Sequence, residues 1–422
     1  MTVYAQPDLP AVLLIGTLDT KGPEIGYVRD VLREEHGLPV LVLDSGILGE
    51  PLGIEPEITR GEVAAAAGEG ESLEAIRAAG SRGAAVDRMR RGVARVALEL
   101  YRQGRIGGAL CLGGAEGAVL GAAAMQALPI GVPKIVVSPL ASGRRRFGPF
   151  VGTHDVMVMH SVIDILGINA VSRPIYRNAA AAIAGMVRSG GGRLVPGDRP
   201  TVAITMLGNT TTAVMHLKAE LEAAGFDTVI FHANGVGGPA MEELISAGLF
   251  TGVIDYTLQE LADNVVGGFH VAGPQRMDAA GRAGLPLVAV PGNVDFSVQG
   301  PRDTVPAHLS GRRSYHHNPE FTLVRLTGDE MESIGHTIAA KLNAGSGPAC
   351  LVVPHGGLSI ANVPGGELYD PEADARLFAA LEADLRPHVR RIDTPAHINS
   401  PDCAHTVAGA FLDLVAARAG KS

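Results

Sequence analysis

The sequence predicts an α/β protein: two Rossmann-like domains with parallel sheets facing across a cleft. Three observations predict it. Short apolar runs alternate with helical stretches along the whole chain, the signature of βαβ units. The order of elements repeats in the two halves. A Gly- and Pro-rich stretch, "SGGGRLVPGDRP" (189–200), separates them as a linker. At 422 residues the chain exceeds one ordinary core and suits two domains, residues 1–190 and 201–422.

The first half opens with strand "VLLIG" (12–16), loop "TLDTKG" (17–22), helix "PEIGYVRDVLREEHG" (23–37) and strand "PVLVLD" (39–44), followed by "SGILG". The second opens with strand "VAITML", loop "GNTTT", helix "AVMHLKAELEAAG" and strand "DTVIFH", followed by "ANGVGG" (202–238). Each half then supplies a third strand, "GGALCLGG" (107–114) or "FTGVIDYT" (250–257). Each enters a fourth through Gly-x-Pro, in "GVPKIVVSP" and "GLPLVAVPG". Between these, Val86, Met89, Val93, Val96 and Leu100 recur at helical spacing, with arginines largely off the stripe, so an amphipathic surface helix is expected. Residues 61–80 read as helical with a break near Gly68 and Gly70.

Composition narrows the function class. Hydrophobic residues make up 46% and charged residues 19%, so the chain folds rather than staying disordered. The net charge of −9 and the lack of an aromatic-studded basic strip argue against nucleic acid as a partner. Cys111, Cys350 and Cys403 are odd in number and far apart, so no disulfide framework is expected and a reducing cytoplasm is the natural location. The first ten residues do not read as a signal peptide, and no apolar run has the length of a membrane span.

In open parallel sheets, ligands gather where strands end and helix N-termini begin. In the first half this rule selects Gly16, Thr17, Asp19, Thr20 and Lys21, then Asp44, Ser45 and Gly46. It continues with Gly113, Gly114, Glu116 and Gly117, then Ser138, Ala141, Ser142 and Gly143. None matches the Walker A or G-x-G-x-x-G spacing, so each loop taken alone is equally a plain turn. In the second half the rule selects Asn209 to Thr212, His232 with the glycines after Asn234, Asp255, Thr257 and Glu260, then Asn293 and Asp295. "YHHNPEFTLVR" (315–325), "VPHGGLS" and "HINSPD" lie beyond. His232, at a strand end before a glycine turn, is the leading acid/base candidate, with Asp255, Glu260, His316 and His317 as companions. Adjacent histidines lack the spacing of helical zinc ligands, so no metal site is assigned. No Gly-x-Ser-x-Gly elbow is present, and Cys111 lies inside an apolar strand, so covalent serine or cysteine catalysis is disfavoured.

Read together, "LLIGTLDTKGPE", "VLVLDSGILGEP", "VGTHDVMVMHSVIDILGIN", "FHANGVGGPAMEELI", "HHNPEFTLVR" and "HINSPD" resemble a known family over nearly the whole chain. It is the ATP-binding family typified by the N-terminal domain of the tomato mosaic virus resistance protein, with many uncharacterised bacterial members. The resemblance implies two Rossmann-like subdomains, nucleotide binding mainly in the first, Mg²⁺ with the nucleotide, homodimers and, in bacterial relatives, a TIM-barrel partner enzyme. By position it sets Gly16, Thr17, Asp19, Lys21 and Asp44 near the nucleotide, with Gly113, Gly114, Glu116, Ser138, Ser142 and Gly143 completing the pocket.

One departure bears on that ligand. Where the family commonly has Gly-Gly-Ser-Gly-Gly-Thr, this chain reads "GGAEGAV", which puts Glu116 beside the expected anion. Two like charges at about 4 Å cost roughly 4 kcal/mol at an effective dielectric near 20, unless a cation intervenes. Arg144, Arg145 and Arg146 are candidates to supply it, to clamp a different anion, or to be plain solvated surface. Two functional expectations follow. One is a metabolic enzyme acting on a small polar carboxylate or sugar acid, with ATP-dependent transfer or ligation, or hydrolysis or cleavage of a carbonyl compound. The other is a nucleotide-gated binding protein without chemistry.

Overall fold

The computed structural model describes residues 9–141, 148–190, 194 and 197–419. Two compact units divide it, residues 1–194 and 195–422. Both are Rossmann-like α/β units built on parallel sheets.

In the first unit five strands, β1 (Ala11–Gly16), β2 (Val40–Asp44), β3 (Ile106–Leu112), β4 (Lys134–Ser138) and β5 (Met157–His160), run parallel in the order β2-β1-β3-β4-β5. Both faces of this sheet are covered, which is why its strands read as unbroken apolar runs. Alternate residues of β1 face opposite cores. Leu13 and Ile15 pack with Met89, Val93 and Leu100 of the helix Arg82–Arg102. Val12 and Leu14 pack with Ile25, Val28 and Ile183. The expected stripe of that long helix is therefore buried, with Val86 and Val96 at its margin. The 61–80 segment forms two short helices, Arg60–Ala66 and Leu73–Arg77, broken between them.

The "TLDTKG" segment is not a loop. A helix runs from Leu18 to Asp30 and takes in Pro23, so the strand passes into helix after one residue, Thr17. The start is fixed from the neighbouring strand, because Oδ1 of Asp44 accepts the Leu18 N–H at 3.1 Å. The carbonyl of Thr17 accepts the N–H groups of Thr20 and Lys21. "GNTTT" behaves likewise, a 3₁₀ turn over Gly208–Thr210 leading into the helix Thr211–Ala223.

The second unit repeats the plan with an insertion. It carries β6 (Thr201–Met206), β7 (Asp227–His232), β8 (Gly252–Thr257) and β9 (Leu287–Gly292). An antiparallel sheet follows, β10 (Phe296–Gln299), β11 (Ser314–Asn318) and β12 (Phe321–Arg325), in the order β10-β12-β11. The chain then rejoins the parallel sheet through β13 (Ala349–Pro354) and β14 (Val389–Thr394). The large sheet reads β14-β13-β9-β8-β6-β7. The expected strand-end loop "YHHNPEFTLVR" is thus a hairpin, turned by Asn318, whose Oδ1 accepts the N–H groups of Glu320 and Phe321 at 2.9 Å each. No helix among the described residues is long and apolar enough to cross a membrane.

Candidate functional site

In the first unit the connections reverse direction between β1 and β3, and such switch points open a crevice at the carboxyl ends of the strands. A cavity of about 710 Å³ lies there. Thr17, Asp19, Thr20 and Lys21 line it from the end of β1, and Ile47 and Leu48 from the end of β2. Gly114, Ala115, Glu116 and Gly117 line it from the end of β3. The N-termini of the helices Leu18–Asp30 and Ala115–Ala127 therefore both border the cavity. Partial positive charge at such termini favours an anion.

Glu116 does not stand alone. Nε of Arg82 lies 2.5 Å from its Oε2, and Arg82 also lines the cavity. Asp19 is engaged too, with Oδ2 accepting the Gly49 N–H at 3.0 Å. Four other expected residues sit behind the wall. Asp44 is fully buried, accepts the N–H groups of Leu18 and Gly46, and pairs with Arg60 at 2.9 Å. Burial raises its carboxyl above the usual range despite those partners. Ser138 is also fully buried, its Oγ accepting the Leu140 N–H, while Pro139 reaches the cavity instead. Gly16 and Gly113 form the packed floor. A Cβ on Gly113 would stand 2.3 Å from the Ala118 nitrogen, so the next helix could not approach. Ser142 and Gly143, with Arg144, Arg145 and Arg146, lie outside the described residues. Sequence reasoning missed Arg82 and Asp164, which topology brings in from distant segments.

The second unit has a cavity of about 300 Å³ where β6 and β7 end beneath the inserted sheet. One wall carries Asn209, His232, Asn234 and His270. The insertion supplies Phe296, Val298, His317, Asn318, Phe321 and Leu323. Strand register explains this set. Val298 and Tyr315 both stand opposite Leu323, so His317, two residues on from Tyr315, shares their face. A bulge then brings Asn318 opposite Phe321. His316 pairs with Thr322 and falls on the other face, so it does not line the cavity. His355 lies elsewhere, paired with Asp393 at 2.7 Å.

His270, which the sequence did not single out, is the most constrained imidazole. Its Nδ1 lies 2.7 Å from Oε1 of Gln259, and an amide oxygen can only accept, so Nδ1 carries the proton. The amide nitrogen of Gln259 lies 3.5 Å from the Phe296 carbonyl, and the Gln259 side chain also bonds Asp263, both in keeping with that orientation. Nε2 is left as the ring's acceptor. Gln259 and Asp263 are four residues apart on the helix Gln259–Val266 and so share one face. Asp263 also accepts the backbone N–H groups of His270 and Val298. Burial pushes the His270 ring down to about 4, with the nearby His232 ring adding to the shift. Burial raises Asp263 to about 6 against its hydrogen bonds.

Asp255 and Glu260, expected to be catalytic, are withdrawn from the cavity. Both are buried against Arg276, itself 1% exposed. Asp255 meets Nη1 and Nη2 at 2.5 and 2.6 Å, and Glu260 meets Nε at 2.6 Å. Glu242 closes the group, accepting N–H from Met277, Asp278 and Ala279. Glu260 has a further task, since Oε1 accepts the N–H groups of Gly235 and Gly238 and so shapes the turn after His232. A Cβ on Gly238 would lie 2.0 Å from the Glu260 carboxylate, so only glycine fits that contact. Among the described residues no group of three or more His, Cys, Asp or Glu side chains is placed to hold a metal ion.

Comparison with known proteins agrees with the two-unit division. Residues 10–191 match the N-terminal domain, and residues 199–415 the C-terminal domain, of Uncharacterised protein family (UPF0261). The chain is 38% identical over 405 residues to a UPF0261 protein of Clostridium tetani, covering 96% of this chain and 98% of that one. A UPF0261 protein of Rhizobium meliloti is 39% identical over 405 residues, with the same coverage. The ToMV susceptible protein tm-1(GCR26) of Solanum lycopersicum is 33% identical over 428 residues, which span 97% of this chain and 56% of the tomato protein. With both family domains matched in order across nearly its full length, the chain belongs to the UPF0261 family.

Proposed function

We propose that this protein is an enzyme that moves a proton on a small metabolite in the cavity of the second unit. His270, neutral in the resting site, takes the substrate's proton at Nε2, and His232, exposed at the same cavity wall, is its partner in passing that proton on. The observation that carries this reading is the chain Asp263–Gln259–His270, which holds one imidazole in one tautomer at a cavity wall. A ring held in one tautomer at a cavity wall is what general base chemistry needs. His317 and the amides of Asn209, Asn234 and Asn318 would orient the substrate's polar groups.

The cavity of the first unit would hold an anionic ligand, and ATP with Mg²⁺ is the family-implied candidate. The residues present fit phosphate oxygens: two helix N-termini, Thr17, Thr20 and Lys21 border the space, and Arg82 offsets Glu116. Bound ATP would supply a phosphoryl group or the driving force for a ligation. The chain's own part is to seat that anion between helix termini.

The test is turnover of a metabolite mixture by wild type, His270→Gln and His232→Ala, read by mass spectrometry. Consumption by wild type that both variants lose supports the assignment. Undiminished turnover by His270→Gln refutes it.

A further inference from the structure

We infer that the second unit's cavity takes an uncharged, two-faced ligand: a small amide or hydroxy-carbonyl compound carrying an apolar body, not a carboxylate. The inference rests on the proposed site for its location only. Among the residues lining the cavity there is no Asp, Glu, Lys or Arg.

The charges nearest to it are all engaged behind the wall. Asp255 and Glu260 are locked onto Arg276. Asp263 is fully buried beneath the amides of His270 and Val298. Arg325 stands opposite Phe296 and so shares the strand face that borders the cavity, yet its guanidinium is turned to the Asp295 carbonyl and Asp374. Apart from its imidazoles the cavity offers no cationic group, so a carboxylate entering here would give up its water without meeting a fixed counter-ion, a costly way to bury a charge.

What the walls do offer is specific. Phe296, Val298, Phe321 and Leu323 make an apolar side, against which a ring or branched chain gains by leaving water. Across from them, Asn209 and Asn234 present amides that donate to a carbonyl oxygen. Nε2 of His270 accepts, so the ligand must bring an O–H or N–H of its own. A cavity of about 300 Å³ is at the small end of ligand sites and suits roughly one ring with one polar group.

Three flat probes of one shape and different charge decide the matter: benzamide, benzoate and benzamidine. Each is titrated into the full chain at pH 8, following the imidazole NMR signals of His232, His270 and His317. The expected result is that benzamide perturbs these signals and binds about tenfold or more tightly than either charged probe. Leu323→Lys, which adds a cation to the apolar wall, should reverse the order in favour of benzoate. Benzoate binding as tightly as benzamide to the wild type overturns the inference. So does the failure of all three to move the imidazole signals at millimolar concentration. Neither result depends on turnover, so the proton-transfer reading stands or falls separately, on His270→Gln.

Discussion

Nδ1 of His270 stands 2.7 Å from Oε1 of Gln259, and that one contact decides which nitrogen faces chemistry. With the proton held on Nδ1, the ring offers a lone pair at Nε2. Burial keeps it neutral down to about pH 4, far below the ordinary histidine range. A neutral amide brings no charge to favour a second proton at Nε2, whereas a carboxylate in its place would.

Gln259→Glu is therefore expected to raise the His270 pKa by roughly 1–3 units, since a carboxylate at hydrogen-bond distance favours the imidazolium. Titration of the His270 ring signals by NMR measures this directly. A midpoint left near 4 would mean that the side chain of residue 259 does not contact the ring in solution.

Asp263 makes a pH prediction of the opposite sign. Its carboxyl lies at about 6 in the fold against an ordinary 3.8, so the folded chain holds the proton more tightly. That contribution to stability is full below 3.8 and is lost as pH rises through about 6. A shift of about two units corresponds to roughly 3 kcal/mol. His270 acts the other way, because its lowered value removes stability as pH falls from 6.5 towards 4. Asp263→Asn should abolish the first effect and leave the second, so the variant loses stability more steeply on acidification between pH 7 and 4. Urea unfolding across that range reads the slope, and parallel profiles for wild type and variant would contradict the assignment.

Arg276 is the sole cation contacting Asp255, Glu260 and Glu242 among the described residues. Arg276→Met would leave buried carboxylates without a counter-charge, a change that costs roughly 3–5 kcal/mol. The unfolding transition of the second unit should shift accordingly. A loss well under 1 kcal/mol would show that the carboxylates take up protons and accommodate the change.

Much of this architecture is readable in the chain, because it rests on local pattern. Apolar strands with glycine at their ends report parallel sheets covered on both faces, and the repeated order reports the second unit. The helix start at Leu18 escapes that reading because its first amide is held by Asp44, 26 residues away. The site residues divide by the same logic. His232 and Asn209 sit at strand ends and are found by rule, but Asp255 and Glu260 satisfy that rule while facing inward to Arg276. Nothing near "AGPQRM" announces that partner. His270 owes its place to the chain after a helix, and His317 to pairing between β11 and β12, both tertiary facts. The sequence does hold one local hint, Gln259 and Asp263 at a four-residue spacing, and the structure sets both on the helix Gln259–Val266.

The Arg82–Glu116 pair carries the last prediction. With Glu116 about a quarter exposed and Arg82 mostly exposed, water screens the contact, so it contributes modestly to stability. Its effect on a ligand is larger, because Glu116 lines the cavity at a helix N-terminus where an anion would sit. Arg82→Ala should therefore weaken anion binding, Glu116→Ser should strengthen it, and the double variant should resemble Glu116→Ser alone. Thermal shift with ATP and Mg²⁺ supplies the reading. At a hundred times its dissociation constant a ligand adds about 2.7 kcal/mol. For a unit of this size that is roughly 5–10 °C. A shift in wild type that Arg82→Ala abolishes and Glu116→Ser enlarges would establish the pair as the gate on anion affinity. If wild type and all three variants shift equally, the nucleotide does not touch this pair.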